Sequence, residues 1–293
     1  MRPRAELALG IGAFVVAAVA VGALGLRSGA ASAIDFRRST YLTGPAGARG
    51  LAEALERLGV RVERLRRNPA WLPVDSLRGR DVLLAVIGPS DGLARGEGIA
   101  LAVRGGAAVD LLLAGSGAAS AMSCFGWRVR PRLRGVRVRA PDGAGGGRLA
   151  VTALLAPARG AVLRDSAAAE SGEVLACEVP RAERAETLLA SAEGAPAAVR
   201  LTLPDRRRVT LVADDGVFSN RAMRETDAGP FALSLVAGRY HRLVVDEFHH
   251  GFRPSGSLAG AVLRWSAATP WGWAIWQLAA VGVLALLASG RRF

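Results

Sequence analysis

Two long uncharged stretches lie near opposite ends of this 293-residue chain. Residues 7–26 carry no charged side chain, and residues 265–290 form a second stretch of the same kind. At about 1.5 Å per residue, a helix of some twenty residues extends about 30 Å, the thickness of a bilayer's hydrocarbon core. The pattern predicts two membrane-spanning helices with a domain between them.

Each stretch has an alternative interpretation. The first is followed by Ala-Ser-Ala at 31–33, which resembles a signal-peptidase site, but its apolar part is longer than that of most signal peptides, so an uncleaved anchor is favoured. For the second stretch, a buried core helix is the alternative. Four tryptophans crowd its front end, as is typical at the headgroup level of a membrane, and favour a span: Trp265, Trp271, Trp273 and Trp276.

The arginines near the two stretches predict the orientation. Arg2 and Arg4 precede the first stretch, and Arg291 and Arg292 follow the second, which favours cytoplasmic termini and an extracytoplasmic central domain. Arginines at 27, 37 and 38 count against this orientation. In an oxidising compartment, the two cysteines at 124 and 177 would be able to form a disulfide. Equally, both would be able to remain unbonded as small buried apolar side chains.

Composition excludes several classes of protein. The chain is 51% hydrophobic and 22% charged, which excludes a disordered protein. Its net charge is +13, and all of its basic residues are arginines. Six of them lie at 128–139 without interleaved aromatic residues, so no nucleic-acid partner is predicted. A solvated strand face is favoured, with anionic lipid or a wall polymer as alternatives.

The middle of the chain alternates between helix and strand patterns. Leu51, Leu55 and Leu58 repeat at helical spacing, and the apolar run at 82–87 is typical of a strand covered on both faces. Further strands are predicted at 60–65, 107–114, 208–213 and 243–245, and further helices at 97–103 and 230–236. The pattern predicts an α/β fold, Rossmann/flavodoxin-like, with a mostly parallel sheet.

Between these elements, residues 127–203 have the character of a β-rich elaboration. Arginine and apolar residues alternate at 127–140, and another strand is predicted at 149–155 after a glycine-rich turn. The predicted organisation is an anchor and linker at 1–34, an α/β domain at 35–256, and a second anchor with a short basic tail at 257–293.

Polar side chains follow two of the predicted strands, where open α/β sheets bind ligands. We expect these groups to hydrogen-bond one another and nearby loops, or to bind a small polar ligand or a partner protein. They are Asp214, Asn220, Asp227, Asp246, Glu247, His249 and His250. Asp227 is also expected to cap the helix at 230–236.

Asp246, Glu247 and His249 are weak candidates for metal ligands. Carboxylate and imidazole groups bind divalent metals, but D-E-F-H-H matches no metal motif, and neighbouring histidines on an extended strand point in opposite directions. No catalytic residue and no cofactor is predicted. Gly115-Ser116-Gly117 does not complete the G-x-S-x-G spacing of a nucleophile elbow, because position 119 is alanine. A phosphate loop requires a lysine, and the chain has none.

Five short motifs resemble one family. They lie at 39–47 (STYLTGPAG), 86–90 (VIGPS), 104–106 (RGG), 213–220 (ADDGVFSN) and 244–251 (VVDEFHHG). Together they resemble bacterial proteins that carry the domain of unknown function 4350 (DUF 4350), over about residues 36–255. The resemblance implies a class I glutamine amidotransferase-like fold between two transmembrane helices in the bacterial inner membrane. It also implies membrane or envelope protein partners, including a MoxR-type ATPase system.

One departure from that family governs the functional prediction. The nucleophilic cysteine of an amidotransferase elbow is missing, so glutaminase activity does not carry over. We expect a non-enzymatic, membrane-anchored binding or assembly module with a degenerate amidotransferase-like domain, in contact with the lipid bilayer. The alternative is a metal-dependent hydrolase that uses Asp214, Asp246, Glu247 and His249.

Overall fold

The structure, a computed structural model, describes residues 35–73, 81–139, 154–164, 177–253, 266, 272–278 and 281–282. The first predicted span and its signal-peptide alternative lie outside these residues, as does most of the second. Among the described residues, no helix has the length and apolar character needed to cross a bilayer.

Nine described strands form a single sheet. In chain order they are β1 Arg61–Leu65, β2 Val82–Ile87, β3 Asp110–Ala114, β4 Trp127–Arg139, β5 Leu154–Arg164, β6 Arg184–Ser191, β7 Pro196–Thr202, β8 Arg208–Val212 and β9 Arg242–Asp246. Across the sheet the order is β1-β9-β2-β3-β8-β7-β6-β4-β5. The pairings from β1 to β8 are parallel, and those from β8 to β5 are antiparallel.

The prediction of an α/β fold is confirmed, and the sheet is mixed. Its antiparallel strands, β4 to β7, lie in the stretch predicted as a β-rich elaboration. The order of the parallel strands is neither of the two common doubly wound orders, because β9 lies between β1 and β2. Most of the strand predicted at 149–155 lies outside the described residues, and its last two positions begin β5, which continues to Arg164.

Between residues 49 and 250, the described part of the chain also contains five short helices and four 3-10 turns. The helices are α1 Arg49–Arg57, α2 Arg95–Ala100, α3 Ala119–Cys124, α4 Asn220–Glu225 and α5 Ala228–Val236, and α2 continues as a π-helical turn at Leu101–Gly105. The 3-10 turns are Pro69–Trp71, Ser116–Ala118, Asp215–Phe218 and Phe248–His250.

Helices cover the parallel part of the sheet on both faces. Successive side chains of a strand point to opposite faces, so alternate residues of β2 enter different cores. Leu83 belongs to the core formed with α1 and α5, and Leu84 to the core formed with α2 and α3. Because both faces of β2 and β9 are dry, the two polar side chains of β9, Arg242 and Asp246, lie at its ends.

Cys124 and Cys177 form a disulfide, which decides between the two alternatives left by the sequence. The bond joins the last residue of α3 to a residue 53 positions later, beyond β5. Both cysteines are buried, and Ala102 packs with them. The parallel part of the domain is therefore covalently tied to the segment that follows the β4–β5 ribbon.

Candidate functional site

The predicted polar cluster lies at one edge of the sheet. The carboxyl ends of β2, β3, β8 and β9 meet there because these strands are parallel. Residues 35–47, which we call the edge segment, contact this edge through several hydrogen bonds. The edge segment precedes α1 and therefore contacts residues about 200 positions away in the sequence.

Glu247 is fully buried beneath the edge segment. Its Oε2 accepts a hydrogen bond from Ser39 Oγ at 2.5 Å, and its Oε1 accepts one from the Thr40 backbone N–H at 2.7 Å and another from Thr40 Oγ1. Burial raises the pKa of Glu247, and the donors from Ser39 and Thr40 partly offset that rise. This carboxyl group holds the edge segment to the end of β9.

Asp246 and His249 form a buried pair on the other side of the same turn. His249 Nδ1 lies 2.6 Å from Oδ2 of Asp246, and Oδ1 of Asp246 accepts the backbone N–H groups of Phe248 and His249. His249 Nε2 is buried and lies 3.6 Å from a Glu97 carboxylate oxygen. Burial alone would lower the pKa of His249, but its hydrogen bond to Asp246 and the two carboxylates raise it.

His250 is buried against the loop that follows β2. Its Nδ1 lies 3.2 Å from Oγ of Ser90, and its backbone carbonyl accepts a hydrogen bond from Arg37 Nη1 at 2.6 Å. Burial lowers the pKa of His250, and the Arg37 charge lowers it further. His249 and His250 are both under 5% exposed, so neither imidazole is accessible to a substrate in solution.

The sequence pattern predicted that the two histidines lie on an extended strand, and this prediction is wrong. They lie in the 3-10 turn Phe248–His250, which begins just after β9 and ends at Gly251. Backbone donors of this turn bind the Asp246 carboxylate, and this explains why the chain curls directly after the strand.

Asp215 lies over the ends of β2 and β3. Arg38 Nε approaches its Oδ2 to 3.5 Å, and a Cβ placed on Gly88 would lie 1.9 Å from the same oxygen. A Cβ placed on Gly115, at φ 82°, would lie 3.1 Å from the Asp215 side chain, a tight but less severe contact. Burial raises the pKa of Asp215, and the Arg38 charge opposes the rise. Two glycines thus make room for a carboxylate that also meets the edge segment.

Asn220 and Asp214 have structural roles. Asn220 Oδ1 accepts the Gly50 N–H at 2.7 Å, and its amide donates to the carbonyls of Leu42 and Gly44. It therefore joins the start of α4 to both the edge segment and α1. Oδ1 of Asp214 accepts the Gly216 N–H at 2.8 Å and begins the 3-10 turn after β8.

The prediction for Asp227 is wrong in its detail. Helix α5 begins at Ala228, and Asp227 occupies the N-cap position, but its side chain makes no capping hydrogen bond. Instead, Thr226 Oγ1 accepts the Ala228 N–H at 3.1 Å. No described hydrogen bond or ion pair connects the Asp227 side chain to the cluster at the sheet edge.

The three predicted metal ligands do not share a site. Glu247 binds the edge segment, whereas Asp246 and His249 bind each other. In the described part of the chain, no group of three or more His, Cys, Asp or Glu side chains is arranged to hold a metal ion. The metal-dependent hydrolase stays a prediction that no described arrangement supports.

Sequence patterns did not indicate the side chains that bind the buried carboxyl and imidazole groups of the cluster. Ser39 and Thr40 on Glu247, Arg38 on Asp215 and Glu97 beside His249 were not singled out as site residues. Ser39 and Thr40 begin the first of the five family motifs, which was the only signal that pointed to them. The edge segment contains no regular element, so periodicity gave no indication of where it lies.

The fold and the site define a class: a mixed α/β domain, covered on both faces, whose carboxyl edge is bound by its own N-terminal segment. The chain belongs to the family described as "Domain of unknown function (DUF4350)", which matches residues 40–236, about two thirds of the chain. The match does not include the motif at 244–251. Neither a curated protein nor a solved structure matches the chain.

Proposed function

We propose that this protein is a non-enzymatic, membrane-anchored binding or assembly module whose degenerate amidotransferase-like domain lies outside the bacterial inner membrane. The observation that carries the proposal is the occupation of the carboxyl edge by the chain itself. Ligands of open α/β sheets bind at this edge. Here Glu247, Asp215 and the His250 carbonyl are bound by Ser39, Thr40, Arg38 and Arg37.

The turn after β3 supports the degenerate character of the domain. A sharp turn from strand to helix is where a nucleophile elbow presents its reactive side chain. Here that turn contains Gly115 and Ser116, and the two cysteines of the chain are bonded to each other. No hydrogen bond joins Ser116 to a histidine among the described residues, so the turn lacks both an activated thiol and an activated hydroxyl.

The disulfide supports the proposed compartment. Disulfides persist in oxidising surroundings and are rare in the bacterial cytoplasm. The Cys124–Cys177 bond is therefore in keeping with a central domain that faces the periplasm or the cell exterior. The uncharged stretches at 7–26 and 265–290 would supply the two anchors.

Cysteine labelling tests the orientation. Because the native cysteines are bonded, an added cysteine is the only reactive thiol of the chain. Asp205→Cys, in the exposed turn between β7 and β8, should react with a membrane-impermeant maleimide in intact cells, whereas Arg292→Cys should react only after lysis. The opposite pattern would overturn the proposed orientation.

Photo-cross-linking tests the binding role. A photo-reactive phenylalanine analogue would replace Trp71, which is 60% exposed in the 3-10 turn after β1, or Leu58, which is 58% exposed after α1. We expect one discrete protein adduct from one of the two positions in native membranes. No adduct from either position, together with glutamine hydrolysis that is lost on Ser116→Ala, would replace the binding module by an enzyme.

A further inference from the structure

Arginine and aromatic side chains alternate on a surface beside the carboxyl edge. The rings of Tyr41 and Phe252 stack with centroids 4.8 Å apart, and Arg37 lies over Phe252 at 5.0 Å. Arg64 lies over Tyr41 at 5.8 Å, and Arg253 over Phe248 at 4.8 Å. We call this the arginine–aromatic surface and define it by Arg37, Tyr41, Arg64, Arg66, Phe252 and Arg253.

Part of the positive charge of this surface is uncompensated. Arg37 pairs with Asp35 at 2.5 Å and Arg64 with Glu56 at 3.2 Å. Arg66 and Arg253 are exposed, and neither has a carboxylate partner in the described ranges, although Arg66 donates to the Arg253 carbonyl at 2.7 Å. The Arg66 guanidinium is thus held at the backbone of Arg253, and the charges of both exposed arginines are available to an anion.

An exposed ring adds apolar character to the same place. Phe36 is 74% exposed, the highest value among the large hydrophobic residues described as exposed, and it directly precedes Arg37. Aromatic rings and arginines are the side chains enriched where proteins meet lipid headgroups, because rings enter the interface while guanidinium groups bind phosphates. A surface that faced only water would gain nothing from exposing this ring.

The arginine–aromatic surface also joins both ends of the described domain. Arg37 and Tyr41 follow the stretch at 7–26, and Phe252 and Arg253 precede the stretch at 265–290. Fewer than fifteen residues separate each end from its uncharged stretch. The contacts between Arg37, Tyr41, His250 and Phe252 bring the two ends to one side of the domain.

We propose that the arginine–aromatic surface rests on the headgroups of an anionic bilayer, so that the carboxyl edge faces the membrane. This inference rests on the proposed membrane anchorage and adds the orientation of the domain and the chemistry of the lipid. The phosphate groups of anionic lipids bind Arg66 and Arg253, and the rings of Phe36 and Tyr41 enter the headgroup layer.

Fluorescence quenching in lipid nanodiscs tests this orientation. Two matched substitutions provide labelling positions that are distant in sequence from both uncharged stretches. Asp91→Cys lies in the exposed loop after β2, at the carboxyl edge, and Asp205→Cys lies between β7 and β8, at the opposite edge. The full chain would be reconstituted with headgroup spin-labelled lipid in a phosphatidylglycerol-containing bilayer. We expect strong quenching of a fluorophore at 91 and little at 205.

Charge variants identify the contact. Each arginine near an anionic surface strengthens its binding about fivefold, so Arg66→Gln with Arg253→Gln should weaken the bilayer-contacting state by about thirtyfold. Quenching at 91 should then fall to the level at 205. Arg61→Gln with Arg184→Gln, at the opposite edge, removes the same charge and should leave quenching at 91 unchanged.

The outcomes separate the two proposals. A chain that alkaline carbonate releases from membranes contradicts the anchorage itself. A chain that stays in the nanodisc with equal quenching at 91 and 205 contradicts the arginine–aromatic surface alone. Equal quenching at 91 in discs of phosphatidylcholine only also overturns the inference, because the contact would then need no anionic headgroup.

Discussion

A single buried carboxyl group connects the two ends of the described domain. Glu247 accepts three hydrogen bonds from Ser39 and Thr40, and no water is needed to satisfy these donors. A buried donor that loses its acceptor costs more free energy than the bond itself contributes. The stability of the edge segment should therefore depend strongly on the side chain at position 247.

Glu247→Ala should lower the free energy of unfolding by about 3 kcal/mol, because it leaves the Thr40 N–H and two hydroxyl groups unpaired in a dry site. Glu247→Gln should cost less, since its carbonyl still accepts from Thr40. Chemical unfolding in detergent measures both. Glu225→Ala, which removes an exposed partner of Arg221, is the control and should leave stability nearly unchanged. Equal losses in all three variants would contradict this role.

The pKa values of the adjacent histidines should be shifted in opposite directions from the ordinary histidine value of 6.5. Asp246 and Glu97 raise the pKa of His249, so its contribution to stability is present in acid and is lost as the pH rises through that raised value. Burial lowers the pKa of His250, so its contribution is present above pH 6.5 and is lost as the pH falls through the lowered value.

Imidazole NMR of the labelled full chain measures this order directly. The signal of His249 should titrate above that of His250, with assignment by His250→Gln. In addition, His250→Gln should lose less stability than the natural chain when the pH falls from 7 towards 5, because it lacks the buried base that must take up a proton. Coincident titration of the two rings would contradict the described environments.

At the scale of elements, the ends of β2 and β3 have little free space around their glycines. A Cβ on Gly88 would overlap the Asp215 carboxylate, and its φ of 54° is unfavourable for other residues. Gly59, which follows α1 at φ 83°, has open space around it. A substitution at Gly59 therefore reports backbone strain alone, whereas one at Gly88 reports backbone strain together with the clash with Asp215.

Gly88→Ala should lower stability by about 3 kcal/mol, and Gly59→Ala by only about 1 kcal/mol from backbone strain. Adding Asp215→Ala to Gly88→Ala should recover most of the difference, because the overlapping carboxylate is then absent. A double-mutant cycle with thermal unfolding measures the coupling. Strictly additive losses would show that Asp215 does not occupy this space.

The elements that could be predicted from sequence were those with a strong period. The run at 82–87 is β2, and the leucines of α1 point into the core, because apolar burial selects one pattern for each element. The insertion of β9 between β1 and β2 was not predictable, since nothing local in Leu243 or Val244 specifies its neighbours. Pairing order depends on contacts between distant parts of the chain.

The candidate site was predicted only in part for a similar reason. Asp246, Glu247 and His249 were identified from the end of their strand, and the structure places them there. Their partners, Ser39 and Thr40, lie about 200 residues earlier and carry no pattern of their own. Sequence patterns therefore located the edge of the sheet but not the segment that binds it.

For the whole molecule, one covalent bond connects α3, beside the parallel strands, to the segment that follows β5. Closing a loop of 53 residues stabilises a fold by about 4 kcal/mol in the chain-entropy account. The parallel half of the sheet and the β4–β5 ribbon should therefore separate more easily once the Cys124–Cys177 bond is reduced.

Cys124→Ser with Cys177→Ser should lower the free energy of unfolding by about 4 kcal/mol. The natural chain should behave like this double variant after reduction, and Ser123→Ala, an exposed change in the same helix, should not. Thermal unfolding with and without reductant measures the loss. Free thiols in the chain isolated under non-reducing, thiol-blocked conditions would contradict the bond.

The position of β9 also has a consequence for synthesis. Among the described strands, β9 is the sheet partner of β1 and the last to be made. Glu247 and Asn220 bind an edge segment that the ribosome makes before any of these strands. A nascent chain that has reached only β8 has no partner for β1 and leaves the neighbouring side of β2 open for pairing with another chain. Productive folding of this domain must therefore wait until β9 has been translated.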